Sequence, residues 1–383
     1  MSFDAIQYQP SAVRMLRAAV ARDRVPHAYL FVGPRGVGKG LAARELAKAL
    51  FCLSVSGGDA ESLDPCDACP HCQRVDRGTH PDLYWFGKEP DHNDFRLQLV
   101  TRRDDSPDIV VIESVALMPM EAMRTVTVLD DAERLNPAAA NALLKTLEEP
   151  APHAVLILLC ADAARLPGTI LSRCQWVRFR PLPEAFVAEK VREVLANRAE
   201  EAAEKHDAPP AAPSAEEIAF VCRFAGGSIE RAAALVGSGL WTLKCDLLAG
   251  LPGLGADGAL AMADSILTWG KAVARQEGVQ WKTPAGNAVR RRTARLALAA
   301  VASAFADAAL LDAAQGGQAR LVNADQREVI ERLRAWPAEA WARAVGLLAD
   351  GQTHIGRYVH PELATENALV QVSRLRPARG GSA

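Results

Sequence analysis

Residues 28–51 place an apolar run, a glycine-rich octet and a helical pattern directly one after another: AYLFV, then GPRGVGKG at 33–40, then LAARELAKALF. This order of strand, loop and helix is the context of a Walker A phosphate loop. Its backbone N–H groups would point at phosphate oxygens beside a positively polarised helix N-terminus, and Lys39 would reach the outer phosphates. The glycines expected to shape the loop are Gly33, Gly36 and Gly38. The segment predicts an α/β domain with a nucleotide site; a glycine-rich turn without nucleotide is the alternative.

Two positions of this predicted site lack the side chains that ATP hydrolysis uses. The eighth position of the loop is Gly40, where a Ser or Thr hydroxyl would bind magnesium. The apolar run 126–129 leads into Asp130 and Asp131, which predicts a Walker B strand with its acids at the carboxyl end of the sheet. Asp130 would hold magnesium, but Asp131 is one methylene shorter than the Glu expected to orient the attacking water. Since a misplacement of about 1 Å lowers a rate roughly a hundredfold, we expect hydrolysis to be lost, and nucleotide binding stays open.

The overall charge argues against bulk attraction of the chain to nucleic acid. Lys and Arg number 44 against 46 Asp and Glu, which gives a net charge of -2. Bulk attraction to nucleic acid is therefore not expected, and any DNA contact would be local or supplied by partners. The N-terminus has no basic region before an apolar stretch, and Asp307 interrupts the apolar stretch 296–311. These patterns predict a cytoplasmic protein with no membrane segment.

The hydrophobic pattern changes near residue 181. Before it, short apolar runs alternate with helical patterns, which is typical of parallel strands buried in an α/β layer structure. These runs lie at 28–33, 82–86, 125–130 and 155–160. We therefore predict an α/β P-loop domain with a parallel sheet at 1–180.

Beyond Pro181 only helical patterns recur, separated by stretches rich in Pro and Gly such as 207–214 and 252–255. This pattern favours an all-α region in two parts. We predict a small helical domain at 181–240, a larger helical domain at 241–376 and a disordered tail at 377–383. The fold class is therefore α/β plus all-α.

Four cysteines follow the predicted helix of the phosphate loop in a C-x13-C-x2-C-x2-C pattern: Cys52, Cys66, Cys69 and Cys72. Four thiolates on short loops close a tetrahedral site, and zinc favours such ligands. We therefore predict a structural zinc module at 52–72, with His71 as a competing ligand that the four cysteines make unnecessary. The remaining cysteines lie in apolar contexts and are expected to be buried thiols; they are Cys160, Cys174, Cys222 and Cys245.

Three segments together resemble one protein family: PHAYLFVGPRGVGK at 26–39, LDDAERLNPAAANALLKTLEEP at 129–150 and LPGTILSRC at 166–174. They are similar to the clamp-loader branch of the AAA+ ATPases, as found in bacterial DNA polymerase III. The resemblance covers nearly the whole chain and weakens beyond about residue 240. It implies an AAA+ P-loop core, a small helical lid domain and a C-terminal helical collar domain for oligomerisation. Clamp-loader subunits also carry a similar zinc module.

The resemblance also implies roles for two arginines. Ser172-Arg173-Cys174 is similar to the motif with which a clamp-loader subunit offers an arginine to the ATP of its neighbour, so Arg173 would be an arginine finger acting in trans. A planar guanidinium suits the charge on a transferring phosphoryl group; a salt-bridged surface arginine is the alternative. In the implied sensor 2 region, Glu230 takes the usual arginine position, and Arg231 follows one place later as the candidate phosphate contact.

The resemblance therefore implies a non-motor clamp-loader subunit that lends Arg173 to a neighbouring ATPase and helps load the sliding clamp on primed DNA. Its implied partners are the gamma/tau and delta subunits, the sliding clamp and, through the complex, primer-template DNA. The implied cofactors are structural zinc and, if binding survives, ATP. One alternative is an ATP-hydrolysing gamma/tau-like subunit or another AAA+ DNA motor, which Gly40 and Asp131 oppose. A zinc-dependent nucleic-acid-binding module is another, which the neutral charge opposes.

Overall fold

The computed structural model describes residues 2–55, 62–87, 100, 109–204, 212–314, 319–356 and 360–377. The chain divides into two compact units. The first contains residues 1–183 and 227–229, and the second contains residues 184–226 and 230–383.

The first unit is built on a parallel sheet of five strands in the order β2-β3-β4-β1-β5. The strands are β1 (Ala28–Val32), β2 (Leu83–Phe86), β3 (Thr125–Leu129), β4 (Ala154–Cys160) and β5 (Gln175–Arg178). Every residue of β3 and β4 is buried, as expected for central parallel strands whose two faces are both covered. The predicted parallel sheet is therefore confirmed.

The helices of the first unit pack around this sheet. They are α1 (Pro10–Ala21), α2 (Lys39–Phe51), α3 (Pro70–Asp76), α4 (Val111–Ala116), α5 (Pro137–Glu148) and α6 (Gly168–Leu171). Proline occupies the start of α1, α3 and α5, where its missing N–H is not needed. Asn136 caps α5, because its side chain accepts a hydrogen bond of 2.8 Å from the Ala139 N–H.

Strand β5 was not predicted from the sequence. It pairs with β1 alone, at the edge of the sheet, and its pattern QWVR leaves Gln175 and Arg178 exposed. Four residues with polar ends lack the apolar run by which the central strands are recognised. The pairing itself, from Tyr29 with Gln175 to Val32 with Arg178, forms only in the folded sheet.

The second unit is helical throughout its described residues. Its helices are α7 (Glu184–Glu204), α8 (Ala215–Phe224), α9 (Ile229–Leu235), α10 (Leu240–Gly250), α11 (Ala256–Gln276), α12 (Pro284–Ala313), α13 (Arg327–Leu333), α14 (Ala338–Gly356) and α15 (Pro361–Ser373). Ser214 caps α8, because its side-chain oxygen accepts a hydrogen bond of 3.0 Å from the Glu217 N–H. The predicted class, a P-loop core followed by helical domains, is confirmed, and the division of the helical part at residue 240 stays a prediction.

Helix α12 is long and apolar enough to cross a membrane by length and composition alone. Half of its apolar window is buried within the protein. Ala297, Leu298, Val301 and Phe305 are all fully buried in the core of the second unit. This burial is the pattern of a core helix in a helical domain.

Several predictions fall on residues outside the described part of the chain. Residues 207–211 of the predicted break at 207–214 and nearly all of the predicted tail are among them. Between β2 and β3, residues 88–99 and 101–108 also lie outside it. The described part of this connection contains α4 and a loop at 117–124.

The loop before β3 is fixed by one buried carboxylate. Asp82, at the start of β2, is fully buried and accepts hydrogen bonds from the N–H groups of Met120, Glu121 and Ala122 at 2.5 to 2.9 Å. Burial alone would raise the pKa of Asp82, but these three donors outweigh it and lower the pKa below its usual value. The carboxylate therefore stabilises the folded chain only while it is ionised.

We expect Asp82→Asn to lower the free energy of unfolding by about 1–3 kcal/mol at neutral pH, because a hydrogen-bonded buried charge is lost. The folded pKa is depressed, so the stabilisation is complete above the unfolded value of about 3.9 and is lost as pH falls through the folded pKa. Urea denaturation at several pH values measures this difference. The exposed Asp23→Asn serves as the control, with an expected change within about 0.5 kcal/mol. A difference that persists unchanged in acid would contradict the assignment.

Candidate nucleotide site and metal centre

The phosphate loop connects β1 to α2 with the backbone that its glycines allow. Gly36 and Gly38 have φ angles of +67° and +100°, a region open mainly to glycine. Gly33 approaches the chain after β5 so closely that a Cβ there would lie 2.5 Å from the Phe179 carbonyl oxygen. The predicted order of strand, loop and helix is present, and α2 begins at Lys39.

Lys39 points back into the loop. Its Nζ donates hydrogen bonds to the carbonyl oxygens of Gly33 at 2.6 Å and Pro34 at 2.7 Å. Burial lowers the pKa of Lys39, while the negative charges of Asp130 and Glu133 oppose this shift. The ammonium group thus lies between the carbonyls of the loop and the acids that follow β3, where it is placed to bind an anion in the loop.

The two predicted acids follow β3, but their environments differ. Burial and the neighbouring Asp131 raise the pKa of Asp130. Asp131 has a left-handed backbone, with a φ angle of +56°. Its carboxylate forms ion pairs with Arg35 of the phosphate loop and with Arg134, the latter at 3.5 Å. The side chain expected to orient water is therefore already engaged by two arginines.

Gly40 lies beside an aromatic ring. A Cβ at this position would be 3.7 Å from the ring of Trp85 in β2, an ordinary van der Waals contact. The guanidinium carbon of Arg44 lies 5.8 Å from the centre of the same ring. Residue 40 thus faces an indole and contributes no magnesium ligand, although the space would accept a small side chain.

Two residues of this site were missed by the sequence analysis. Glu133 is buried, and its Oε2 accepts from the Ala161 N–H at 3.2 Å, after the end of β4. Gln9 is also buried; its amide bonds the backbone of Arg180 at 2.7 and 2.8 Å and the Val37 carbonyl at 3.4 Å. The sequence could have indicated Glu133, since it lies three residues after the predicted acid Asp130. No sequence pattern indicated Gln9, because the residues that it contacts are distant in the sequence.

The predicted sensor 2 region is divided between the two units. Residues 227–229 belong to the first unit, and the Ile229 N–H lies 3.4 Å from the Gly36 carbonyl oxygen of the phosphate loop. Arg231 belongs to the second unit, where its guanidinium carbon lies 5.0 Å from the centre of the Phe224 ring. The contact of Arg231 with phosphate stays a prediction.

Arg173 lies between α6 and β5, with its side chain 35% exposed. Its guanidinium donates to Glu148 Oε1, at the end of α5, at 2.7 Å and to the Thr169 carbonyl at 3.0 Å. The adjacent Cys174 is buried, and burial raises the pKa of its thiol to about 12. Cys174 therefore packs in the core while Arg173 faces outward, held by an exposed ion pair of a kind worth at most about 1 kcal/mol.

The four predicted metal ligands come together. The sulfur atoms of Cys52, Cys66, Cys69 and Cys72 all lie within 4.8 Å of one another. A tetrahedral zinc site with Zn–S distances of about 2.3 Å places its sulfurs about 3.8 Å apart, so a small contraction around a metal suffices. The residues present therefore fit a metal ion with soft ligands.

Backbone N–H groups already point at these sulfurs. Cys66 N lies 3.3 Å from Cys52 Sγ, and Cys69 N lies 3.3 Å from Cys66 Sγ. His71 does not compete for the metal through Nδ1, because this atom is 2.8 Å from His80 Nε2 in a buried pair. Among the other thiols, Cys160, Cys174 and Cys222 are buried as predicted, whereas Cys245 is half-exposed beside Asp325, so its prediction was wrong.

The sequence of this chain is similar to known replication proteins. Residues 8–183 match the family described as DNA polymerase III, delta subunit. Over 187 residues the chain is 34% identical to DNA polymerase III subunit delta' of Bacillus subtilis, which covers 49% of this chain and 52% of that protein. Over 194 residues it is 31% identical to DNA polymerase III subunit tau of Escherichia coli, covering 51% of this chain and 28% of that protein. The chain thus spans about half, or less, of these relatives.

Among solved structures, the chain matches a DNA polymerase III gamma subunit-related protein from Thermotoga maritima. The match has 14% sequence identity and a TM-score of 0.40, and it covers 96% of this chain and 100% of that chain.

We expect the same substitution to have different effects on stability at Gly33 and Gly40, the first and last residues of the phosphate loop. We expect Gly33→Ala to lower the free energy of unfolding by about 1–3 kcal/mol, because its Cβ would overlap the Phe179 backbone. Gly40→Ala, in the first turn of α2, is the matched control, with no loss and a gain of up to about 1 kcal/mol from helix propensity. Chemical denaturation of both variants measures the pair. Equal effects would show that the approach of Gly33 to Phe179 does not constrain the loop.

Proposed function

We propose, from the similarity of residues 8–183 to DNA polymerase III clamp-loader subunits, that this chain is a delta-prime-like subunit that supplies Arg173 to the ATP site of a neighbouring subunit. It does not itself drive the assembly with ATP. In the resulting complex it helps load the sliding clamp on primed DNA, in the cytoplasm. The partners are the gamma/tau and delta subunits, and DNA is reached through the complex.

One contrast supports this proposal: the phosphate loop and an outward-facing arginine are present, whereas two positions expected to serve hydrolysis lack their usual side chains. Lys39 and the loop backbone are in place. Position 40 has no hydroxyl, and the Asp131 carboxylate is paired with Arg35 and Arg134. Arg173 is outward-facing and held only by exposed contacts.

The pairing of Arg173 with Glu148 does not oppose a role in trans. Both side chains are partly exposed, so water screens their attraction and the pair is weak. A triphosphate on an adjoining subunit carries more negative charge than one carboxylate and accepts the same planar fork of N–H groups. Arg173 can therefore exchange Glu148 for phosphate when subunits meet.

The alternative function is a gamma/tau-like motor, which the similarity to subunit tau of Escherichia coli also accommodates. A motor must bind magnesium and orient water within its own site. Gly40 has no side chain to bind magnesium, and the Asp131 carboxylate is paired with Arg35 rather than free to orient water. The two functions differ in whether the isolated chain turns over ATP.

We expect Arg173→Ala to reduce ATP turnover in a complex reconstituted with the ATPase and delta subunits, without preventing assembly. Arginine fingers contribute roughly 10³–10⁵ in rate at the site they face, so the loss at that one site should be nearly complete. Arg173→Lys should also fail, because an ammonium lacks the planar fork. Turnover and sedimentation of the same complexes measure the two effects.

Arg165→Ala is the control for this experiment, because Arg165 is another exposed arginine of the same connection. It should leave turnover unchanged. The isolated wild-type chain should show no turnover; a rate on the order of 1 per second would instead establish a motor. Full turnover with Arg173→Ala would remove the arginine-finger role.

We propose zinc as the metal of the four-cysteine site, in a structural role. Four sulfur ligands leave no open position for water or substrate. When bound, zinc would fix the end of α2, the loop that follows it and α3 in one arrangement. The residues that would hold it are Cys52, Cys66, Cys69 and Cys72.

Elemental analysis of the purified protein should find one zinc ion per chain. Cys69→Ser should lose it, because one of four thiolates is removed and structural zinc sites need all their ligands. Cys245→Ser, a half-exposed cysteine of the other unit, is the matched control and should retain it. A native protein without metal would rule out the zinc module.

A further inference from the structure

Lys48 is a buried cation beside the four-cysteine site. Its side chain is fully buried in α2, one turn before Cys52. Buried lysines are rare unless they are paired, and Lys48 is surrounded by three carboxylates. Its Nζ lies 2.7 Å from Asp67, 3.0 Å from Asp76 and 3.0 Å from Glu45.

Two of these partners lie on the segments that carry the other ligands. Asp67 is between Cys66 and Cys69, in a left-handed turn with a φ angle of +55°. Asp76 is the last residue of α3, one helical turn after Cys72, so the two lie on the same face of that helix.

The backbone of Lys48 also contacts the remaining ligand, Cys52. Its carbonyl oxygen accepts a hydrogen bond of 2.8 Å from the Cys52 N–H, at the end of α2. The one residue therefore bonds all three segments that the metal would join: the end of α2, the loop 66–69 and α3. These contacts involve only groups of the protein, and they connect the segments whose relative positions a metal would need.

Three carboxylates stabilise the charged form of Lys48. Carboxylate oxygens of Asp67, Asp76 and Glu45 lie within 3.0 Å of its Nζ, and their negative charge offsets the cost of burying the ammonium group. A buried ion pair is costly to break from one side, because the remaining charges are left uncompensated. Removing the ammonium would leave Asp67 and Asp76 without their common partner.

We propose that Lys48 is a positioning residue of the four-cysteine site, which holds its three ligand-bearing segments in place for the metal. This inference rests on the proposed metal site. Lys48 would then contribute to the metal affinity of the site as well as to the stability of the fold.

The test compares metal affinity with stability in the full chain. Metal-free protein is prepared with a chelator under reducing conditions and titrated with Co²⁺, whose absorption reports tetrahedral thiolate ligands, and bound Co²⁺ is then displaced with Zn²⁺. Lys48→Met keeps the length of the side chain and removes its charge. We expect its affinity for both metals to fall about 10–100-fold, the range for residues that orient metal ligands.

Asp67→Asn is the second variant, because asparagine tolerates the left-handed turn and loses only the charge that Lys48 contacts. It should weaken metal binding in the same direction, and it carries the test if Lys48→Met does not fold. Lys190→Met, which alters an exposed lysine paired with Glu193, is the control and should bind metal like the wild type.

A purely structural role for Lys48 makes a different prediction. Lys48→Met would then lower the melting temperature equally with and without metal, and Asp67→Asn would bind Co²⁺ and Zn²⁺ as tightly as the wild type; that result overturns the inference while the metal site stands. If the wild-type chain binds neither metal, the metal site and this inference fall together. A smaller stabilisation by metal in the variants is the expected outcome, because affinity and stabilisation are linked.

Discussion

Strand β1 is the constraint on which the nucleotide site depends. It pairs with β4 on one side and β5 on the other, so hydrogen bonds on both sides hold its carboxyl end in the sheet. The chain after β5 then passes so close to Gly33 that only glycine fits. The phosphate loop therefore starts from a fixed point, and its last residues begin α2 with their N–H groups directed into the loop.

Helix α2 links the two candidate sites of this domain. It begins at Lys39 in the phosphate loop and ends at Cys52 in the cysteine cluster, a length of about 20 Å. Lys48 binds the far end of this helix to the segments of the cluster. The cysteine cluster and the phosphate loop thus lie at opposite ends of one helix, which connects the candidate metal site directly to the candidate nucleotide site.

The proposal of a nucleotide fold that does not hydrolyse ATP rests on two arrangements of charged groups. Arg35 and Arg134 neutralise Asp131 within the chain, whereas Glu148 holds Arg173 only through an exposed contact. The two arginines keep the Asp131 carboxylate from orienting water. The ion pair of Arg173 with Glu148 is weak, so little free energy is needed to release Arg173 for another partner. Together they favour a subunit whose contribution lies at a neighbour's site.

The sequence determined the central strands, the phosphate loop and the cysteine cluster, because long apolar runs, glycines at fixed spacing and C-x2-C spacing are local signals. It did not determine β5, whose four residues become a strand only by pairing with β1. Gln9, Lys48 and the Arg35–Asp131 pair likewise depend on residues brought together from separate segments. Local patterns thus identified the phosphate loop and the cysteine ligands. Only the tertiary structure decided which charged side chains form ion pairs, because burial and pairing arise when distant segments meet.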